Sequence, residues 1–383
     1  MRRDPSFTAQ CRSLTRAIAK YSTLEELRSS SEWPALEPCL RAVLGTVRRY
    51  QPPQPPRPSP NPDRIKAVHW NVEHGNRYEQ IEAALAGHPE LAEADVHLFN
   101  EIDLGMARAG NRDVTGDLTA ALHRYAVWAP LFLETTVGRH DDAKTAANGD
   151  NQESLFGIAI LSRWPITGVQ VVELPSPERL QFDRERMYGR HVGLIATIDR
   201  PAAPFLVVSV HLEVHRTRRD RAAQVNALLA ALRDESLPVV LAGDFNTHTF
   251  DRGRARGMFD GARALVLTRS RSLRKRLLFP DRGEWREPLF DGLRDAGFEW
   301  DRFVDRAPTL QLRFERLEEM RALPRIATAP LVRVLTWAER RAALRLDWFA
   351  GRGWGGGTGY TVRGLDGPGN ASDHAPIVAE FWK

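Results

Sequence analysis

The chain has 383 residues, 42% of them hydrophobic and 27% charged, with a formal net charge of +5. That length and apolar content are enough to bury one large core or two smaller ones. Its most apolar runs, such as Phe205 to Val210, are only of strand length, which excludes the apolar stretch of about 18 residues that a membrane span needs and points to a soluble protein.

Near the N-terminus no apolar stretch of secretory length precedes a small-residue cleavage site, so the expected location is the cytoplasm. Leu14, Ile18, Tyr21, Leu24 and Leu27 are spaced for one face of an amphipathic helix, and a second helix is predicted through Leu40, Val43, Leu44 and Val47. Cys11 and Cys39 both lie here, so neither a disulfide framework nor a cysteine zinc site can hold the rest of the chain. Residues 51–62 contain seven prolines, which cannot continue a helix or pair as a central strand. The division that follows is a helical N-terminal extension over 1–50, a stiff linker over 51–64 that decouples it, and a main domain over 65–383.

From Ile65 onward, short apolar runs alternate with helical segments. Ala67–Trp70, Val96–Phe99, Gly157–Leu161, Val192–Ile198, Phe205–Val210, Val239–Ala242, Leu346–Phe349 and Ile377–Phe381 have strand length and composition. The clearest helix is Arg218–Arg233, with Ala222, Val225, Leu228, Leu229 and Leu232 on one face. Such alternation predicts a layered α/β architecture.

Polar residues stand at the ends of those strands: Asn71, Glu101, His211, Asp244 with Asn246, Asp347, and Asp373-His374. Metal-assisted attack on a phosphate ester needs a hard oxygen ligand, a base to orient water, and donors for the developing charge. Taken singly, each group has a plainer reading. Gly243-Asp244-Phe245-Asn246 suits a strand-to-turn transition, Ser372-Asp373-His374 a turn or helix cap, and Glu101 a solvated strand end.

Together, Trp70-Asn71-Val72, Asn100-Glu101-Ile102-Asp103, Gly157 to Arg163, Ser209-Val210-His211-Leu212, Gly243 to Asn246, Leu346-Asp347-Trp348 and Ser372 to Pro376 resemble the ordered motifs of the endonuclease/exonuclease/phosphatase superfamily. The resemblance covers roughly residues 65–250 and 343–383. It implies a four-layered α/β/β/α sandwich with two β-sheets, to which this chain adds the helical extension and a partly helical insertion at about 251–342. It also implies a metal-dependent hydrolase of phosphate esters. A phosphodiesterase or nuclease is the first reading, a phosphatase acting on a lipid or sugar phosphate the alternative, and a catalytically inert binding module the third.

Carried over motif by motif, the resemblance makes Glu101 the principal ligand of Mg2+ (Mn2+ as the substitute), with Asn71 and Asp373 beside the metal. Asp244 orients or deprotonates the attacking water, Asn246 helps hold the phosphate, and His374 contacts it while Asp347 fixes the tautomer. His211 matches a second histidine of the deoxyribonuclease-like and sphingomyelinase-like branches; the branch specialised for abasic DNA usually lacks it. Asn100 stands where glutamine is commoner and Glu73 where aspartate often follows the first asparagine. Arg190, chosen over its neighbours Tyr188 and His191, is the expected phosphate contact; Glu73 and Glu153 are the other expected substrate-binding residues, Glu153 also as the partner of His211. His69, His88, His97 and His123 match no motif and are expected to be packing or surface residues.

Residues 251–345 hold 22 Lys+Arg against 14 Asp+Glu, a net of +8, and residues 1–64 hold 11 against 6, a net of +5; set against the whole-chain +5, this leaves −8 on the remainder. The cluster from Arg269 to Arg276 could track a phosphate backbone or form a solvated, locally paired helix face. The expected partners are a phosphate-ester substrate, nucleic acid among the candidates, and the expected state is a monomer without integral membrane association.

Overall fold

The computed structural model describes residues 4–138, 141–146, 149–252, 263–312, 337–338, 340–367 and 369–383. In chain order these form α1 (Pro5–Ala19), α2 (Leu24–Ser29), α3 (Trp33–Leu44), β1 (Arg48–Tyr50), β2 (Arg64–His74), α4 (Tyr78–Gly87), α5 (Pro89–Ala92), β3 (Val96–Leu104), α6 (Val114–Leu122), β4 (Tyr125–Glu134), α7 (Asp141–Thr145) and β5 (Leu155–Ser162). There follow β6 (Ile166–Glu173), α8 (Glu178–Glu185), β7 (Met187–Gly189), β8 (Val192–Ile198), β9 (Phe205–His211), α9 (Arg218–Ala231), β10 (Val239–Asp244), α10 (Ser270–Leu278), α11 (Leu289–Asp295), β11 (Leu310–Gln311), β12 (Ala343–Leu344), β13 (Asp347–Arg352), β14 (Gly356–Thr361) and β15 (Ile377–Trp382).

One sheet has the order β1-β4-β5-β3-β2-β15-β14, with β7 also on β4; the other runs β13-β10-β9-β8-β6. Side-chain alternation along the strands makes the layers. Ile65, Ala67, Val96 and Leu98 of the first sheet meet Val207, Val240, Ala242 and Phe349 of the second in the central core. Val68, Trp70 and Phe99 face the other way, under α4 and α6 and the N-terminal helices. Val208, Val210 and Trp348 face Val225 and Leu228 of α9 and Phe290 of α11. The result is the expected four-layered α/β/β/α sandwich. Among the described residues, no helix is long and apolar enough to cross a membrane.

Two departures lie in the first fifty residues. The apolar face read from Leu14 to Leu27 is broken after Ala19, because Thr23 and Glu26 form a reciprocal capping box that starts α2 afresh. The three helices are also not decoupled. Leu14, Ile18, Leu27, Leu40, Val43 and Leu44 are buried in the same cluster as Trp70 and Trp128, and β1 pairs antiparallel with β4. The proline segment is itself pinned, since the Arg163 guanidinium donates to the carbonyls of Arg57 (2.5 Å) and Pro58 (3.1 Å). A chain that cannot pair with itself can still be held by donors on its neighbours.

The expected insertion is partly visible; its residues 253–262 and 313–336 lie outside the described residues. What is described is built into the body. Phe303 sits in the central core, and the Thr309 hydroxyl accepts from the backbone N–H groups of Leu346 (3.0 Å) and Asp347 (3.2 Å).

Candidate active site

The inward-facing positions of the central strands are apolar along most of their length and turn polar at one end. On β2 the inward row is Ile65, Ala67, His69, Asn71; on β10 it is Val240, Ala242, Asp244. β2 runs parallel to β3, and β9 parallel to β10, so their C-terminal ends gather at one edge of the sandwich. His211 ends β9 directly opposite Asp244, and Asp347 begins β13 on its other side. Connectivity alone thus collects Asn71, Glu101, His211, Asp244 and Asp347.

Local backbone finishes the aim. The β2–β3 and β3–β5 registers slip near Glu101, which takes φ +51°. Glu73 and His74 also have positive φ, so a paired bulge turns Glu101 into the site. Asn246, at φ +49°, occupies a left-handed turn that asparagine tolerates. Its N–H donates to Asp244 Oδ1 (2.9 Å) and its amide to the Leu212 carbonyl (2.7 Å).

Asp244 lies at the centre. Its Oδ2 is 3.7 Å from His211 Nε2, 3.8 Å from His374 Nε2 and 3.3 Å from Asn71 Nδ2. The two imidazole gaps exceed a direct hydrogen bond, so those nitrogens can still serve a ligand. Burial and the neighbouring Asp347 push the Asp244 carboxyl up, against the pull of His374 and His211. Asn71 Nδ2 also donates to Glu101 Oε1 at 3.0 Å. In this arrangement Asn71 offers its nitrogen to both carboxylates and its Oδ1 accepts from the Glu73 N–H, so it places the two acids. Burial would raise Glu101, but His74 and His211 outweigh it and hold the carboxyl at about 2.

Asp347 is a buried anion between two imidazoles. Its Oδ2 bonds His374 Nδ1 at 2.8 Å and its Oδ1 bonds His69 Nε2 at 3.0 Å. Burial works against both charges, yet the pair lifts His374 well above the usual histidine range and drives Asp347 down. Asp373, half-buried beside His374, adds to that lift. A second buried network backs Glu101. His74 reaches Glu101 (3.4 Å) and Asp103 (3.7 Å), and the Arg108 guanidinium joins Asp103 (2.7 Å) to Glu134 (2.5 Å). Against burial and Arg108, the carboxylates of Glu101 and Asp103 raise His74 to about 9.

Among the described residues, two trios of metal-type side chains have ligand atoms within 4.8 Å of one another: His74, Asp103 and Glu134, and Asp244, Asp347 and His374. The two acids of the first are already offset by Arg108 and by His74 itself. Glu101 belongs to neither trio, but it supplies an ionised, partly accessible carboxylate next to Asp244. That is a hard-oxygen donor set suited to Mg2+ or Mn2+.

Two of the three predicted substrate contacts, Arg190 and Glu153, are drawn to other partners. Arg190 bonds Glu173 (2.7 Å) and the Leu44 carbonyl that ends α3, so packing of the N-terminal helices draws it away. Its neighbour His191 faces inward instead, with its ring 6.4 Å from that of His211, and burial drops it to about 3. Glu153 is fully buried and accepts from the Thr8 hydroxyl of α1 at 2.5 Å. Glu73 stands at the rim, 3.8 Å from Arg77. His88 caps α5, His97 stacks on Phe99 and His123 ends α6. His69 is the exception among the histidines expected to be inert. Its two-residue spacing from Asn71 in a strand was the available signal, since both must share a face.

The sequence pattern of the endonuclease/exonuclease/phosphatase family matches residues 68–374. Among solved structures, the chain is similar to an endonuclease/exonuclease/phosphatase from Beutenbergia cavernae, with 16% identity over 84% of this chain and 72% of that one and a TM-score of 0.48. It is similar to the human Nocturnin catalytic domain (12% identity, 88% and 96% coverage, TM-score 0.45). Sphingomyelinase C from Streptomyces griseocarneus gives 16% identity, 83% and 99% coverage and a TM-score of 0.45. No curated protein sequence matches the chain.

Proposed function

The chain belongs to the endonuclease/exonuclease/phosphatase family, and from that premise we propose that it is a divalent-metal-dependent phosphodiesterase, nucleic acid being the first substrate to test. The observation that carries the reading is the convergence on Asp244 Oδ2 of two imidazoles from opposite sides, His211 and His374, with Glu101 one amide away through Asn71.

Glu101 would hold the cation, Mg2+ or Mn2+, with Asp373 and Asn71 beside it; when bound, the ion supplies Lewis acidity that offsets charge on a phosphoryl oxygen. Asp244 accepts a proton from the attacking water. Its raised pKa makes it a better base than an exposed aspartate. His374, kept protonated by Asp347, donates Nε2–H to a phosphoryl oxygen, and His211 donates from the other side. Asn246 holds the turn that fixes Asp244. The new P–O bond forms from water as the ester P–O bond breaks.

We assign residues 65–383 to the catalytic region and 251–342 to a rim insertion. Arg271, Arg274 and Lys275 are exposed on α10, where they could follow a polyanion. Arg276 is not available for that role. It donates to Thr249 and lies 4.2 Å from the Phe250 ring and 4.1 Å from the Trp285 ring. The two unpaired cysteines suit a cytoplasmic setting.

The test is hydrolysis by the purified protein with magnesium of plasmid DNA, RNA, bis-p-nitrophenyl phosphate, p-nitrophenyl phosphate, sphingomyelin and inositol phosphates. Diester cleavage ahead of monoester cleavage supports the proposal. Turnover of monoesters alone rejects the diesterase assignment.

A further inference from the structure

β2 belongs to one sheet and Asp347 to the other, so the bond from His69 to Asp347 is a tie across the central core. Both side chains are out of contact with water. We propose that His69 is a positioning residue that locks the Asp347 carboxylate and, through it, the ring of His374; the role rests on the reading of Asp347 and His374 as a phosphate-binding dyad.

The chemistry fixes the proton. An ionised carboxylate only accepts, so the 3.0 Å contact requires that His69 carry its proton on Nε2. His69 Nδ1 is buried and has no hydrogen-bond partner among the described residues, so nothing there favours the other tautomer. Asp347 then receives one imidazole donor on each oxygen, His69 on Oδ1 and His374 on Oδ2. A carboxylate held at one oxygen can pivot or exchange its equivalent oxygens; one held at both ends cannot. Its backbone is fixed as well, through Thr309. Replacing His69 by an apolar side chain leaves Oδ1 buried and unsatisfied, and a buried anion in that condition swings toward its remaining donor or takes up a proton. Either change mis-sets His374, although His69 itself never reaches the substrate.

Packing alone would give a different pattern, and three measurements separate the two. In protein labelled with 15N at histidine, NMR should show His69 protonated at Nε2 and not at Nδ1, with a far-downfield proton that exchanges slowly with solvent. His69→Leu should lower kcat about 10- to 100-fold with KM little changed, as removal of an outer-shell partner does, and His69→Gln, which keeps an N–H near the same place, should recover most of the loss. In a His374→Ala background His69→Leu should cost little further, because the lock then has nothing to hold. A His69 proton on Nδ1, equal failure of the Gln and Leu variants, or a full additive loss on top of His374→Ala overturns the proposal. A wild-type protein that turns over no phosphate ester contradicts the hydrolase reading instead, and the tautomer measurement stands apart from that outcome.

Discussion

Replacing Asp244 by Asn changes charge and almost nothing else. Asn can keep its carbonyl toward the Asn246 N–H (2.9 Å), but its amide then faces the Asn71 amide across the former 3.3 Å contact, donor against donor. Losing that hydrogen bond costs on the order of 1 kcal/mol. Against it stands relief from Asp347, one of the two influences that raise the Asp244 carboxyl. The opposed effects should leave the melting temperature within roughly 5 °C of wild type. Catalysis has no such compensation, because an amide cannot take a proton from water. General-base contributions of about 10²- to 10⁴-fold predict a fall in kcat of at least ~10²-fold, or about 2.7 kcal/mol of transition-state stabilisation. Steady-state kinetics on the best substrate, paired with thermal melting, give both quantities. A folded Asp244→Asn protein with near-normal kcat would refute the role given to Asp244 and leave the fold untouched.

A chain beginning at Asp63 should fold poorly, because it loses α1–α3 and the strand that covers β4; a net loss on the order of 5 kcal/mol corresponds to roughly 10–20 °C in melting temperature. A shortened chain that melts with the full-length protein would show that these helices only rest on the surface. Neutralising Arg271, Arg274 and Lys275 together should weaken polyanion binding and reduce its salt dependence, whereas Arg276→Ala should chiefly lower stability; unchanged affinity and salt slope in the triple variant would make α10 a solvated face. His97 is held at about 3 by burial and then by the Arg124 and Arg163 cations, so the unfolded chain binds the extra proton between about 3 and 6.5 and stability falls as pH drops through 6.5. His74 and His374 shift upward and act in the opposite sense, so the comparison must be differential. Between about pH 7.5 and pH 5.5, His97→Leu should remove roughly 1.4 kcal/mol of acid sensitivity in urea melts, and an unaltered slope would contradict the buried neutral ring.

Strands that read as short unbroken apolar runs, such as Phe205–His211 and Val239–Asp244, were legible from sequence because one face meets the inter-sheet core and the other the helix layer. β4 was not, since Pro130 argues against an interior strand. A register shift between Pro130 and Phe132 removes the need for its missing N–H. β14 was hidden by Gly356, Gly357 and Gly359, which read as a loop. A Cβ at Gly359 would collide with the backbone of Phe303, so the strand needs glycine there to let that turn approach. In the site, motif order placed Glu101, Asp244, Asp347 and His374 because strand ends fix them. Arg190 and Glu153 went astray because both belong to contacts with α1–α3, a packing no motif records. His69 and His74 were passed over for lack of a motif, although their strand positions put them behind Asp347 and Glu101.

The most direct measurement is hydrolysis of the best phosphate ester after exhaustive chelation and after stepwise return of Mg2+ or Mn2+, with Glu101→Gln run in parallel. Activity should vanish with the metal, return when it is restored, and need a far higher metal concentration, or fail to return, in the variant. Undiminished turnover by the chelated protein, or a Glu101→Gln enzyme with wild-type metal dependence, would contradict a metal-dependent phosphoesterase built on Glu101.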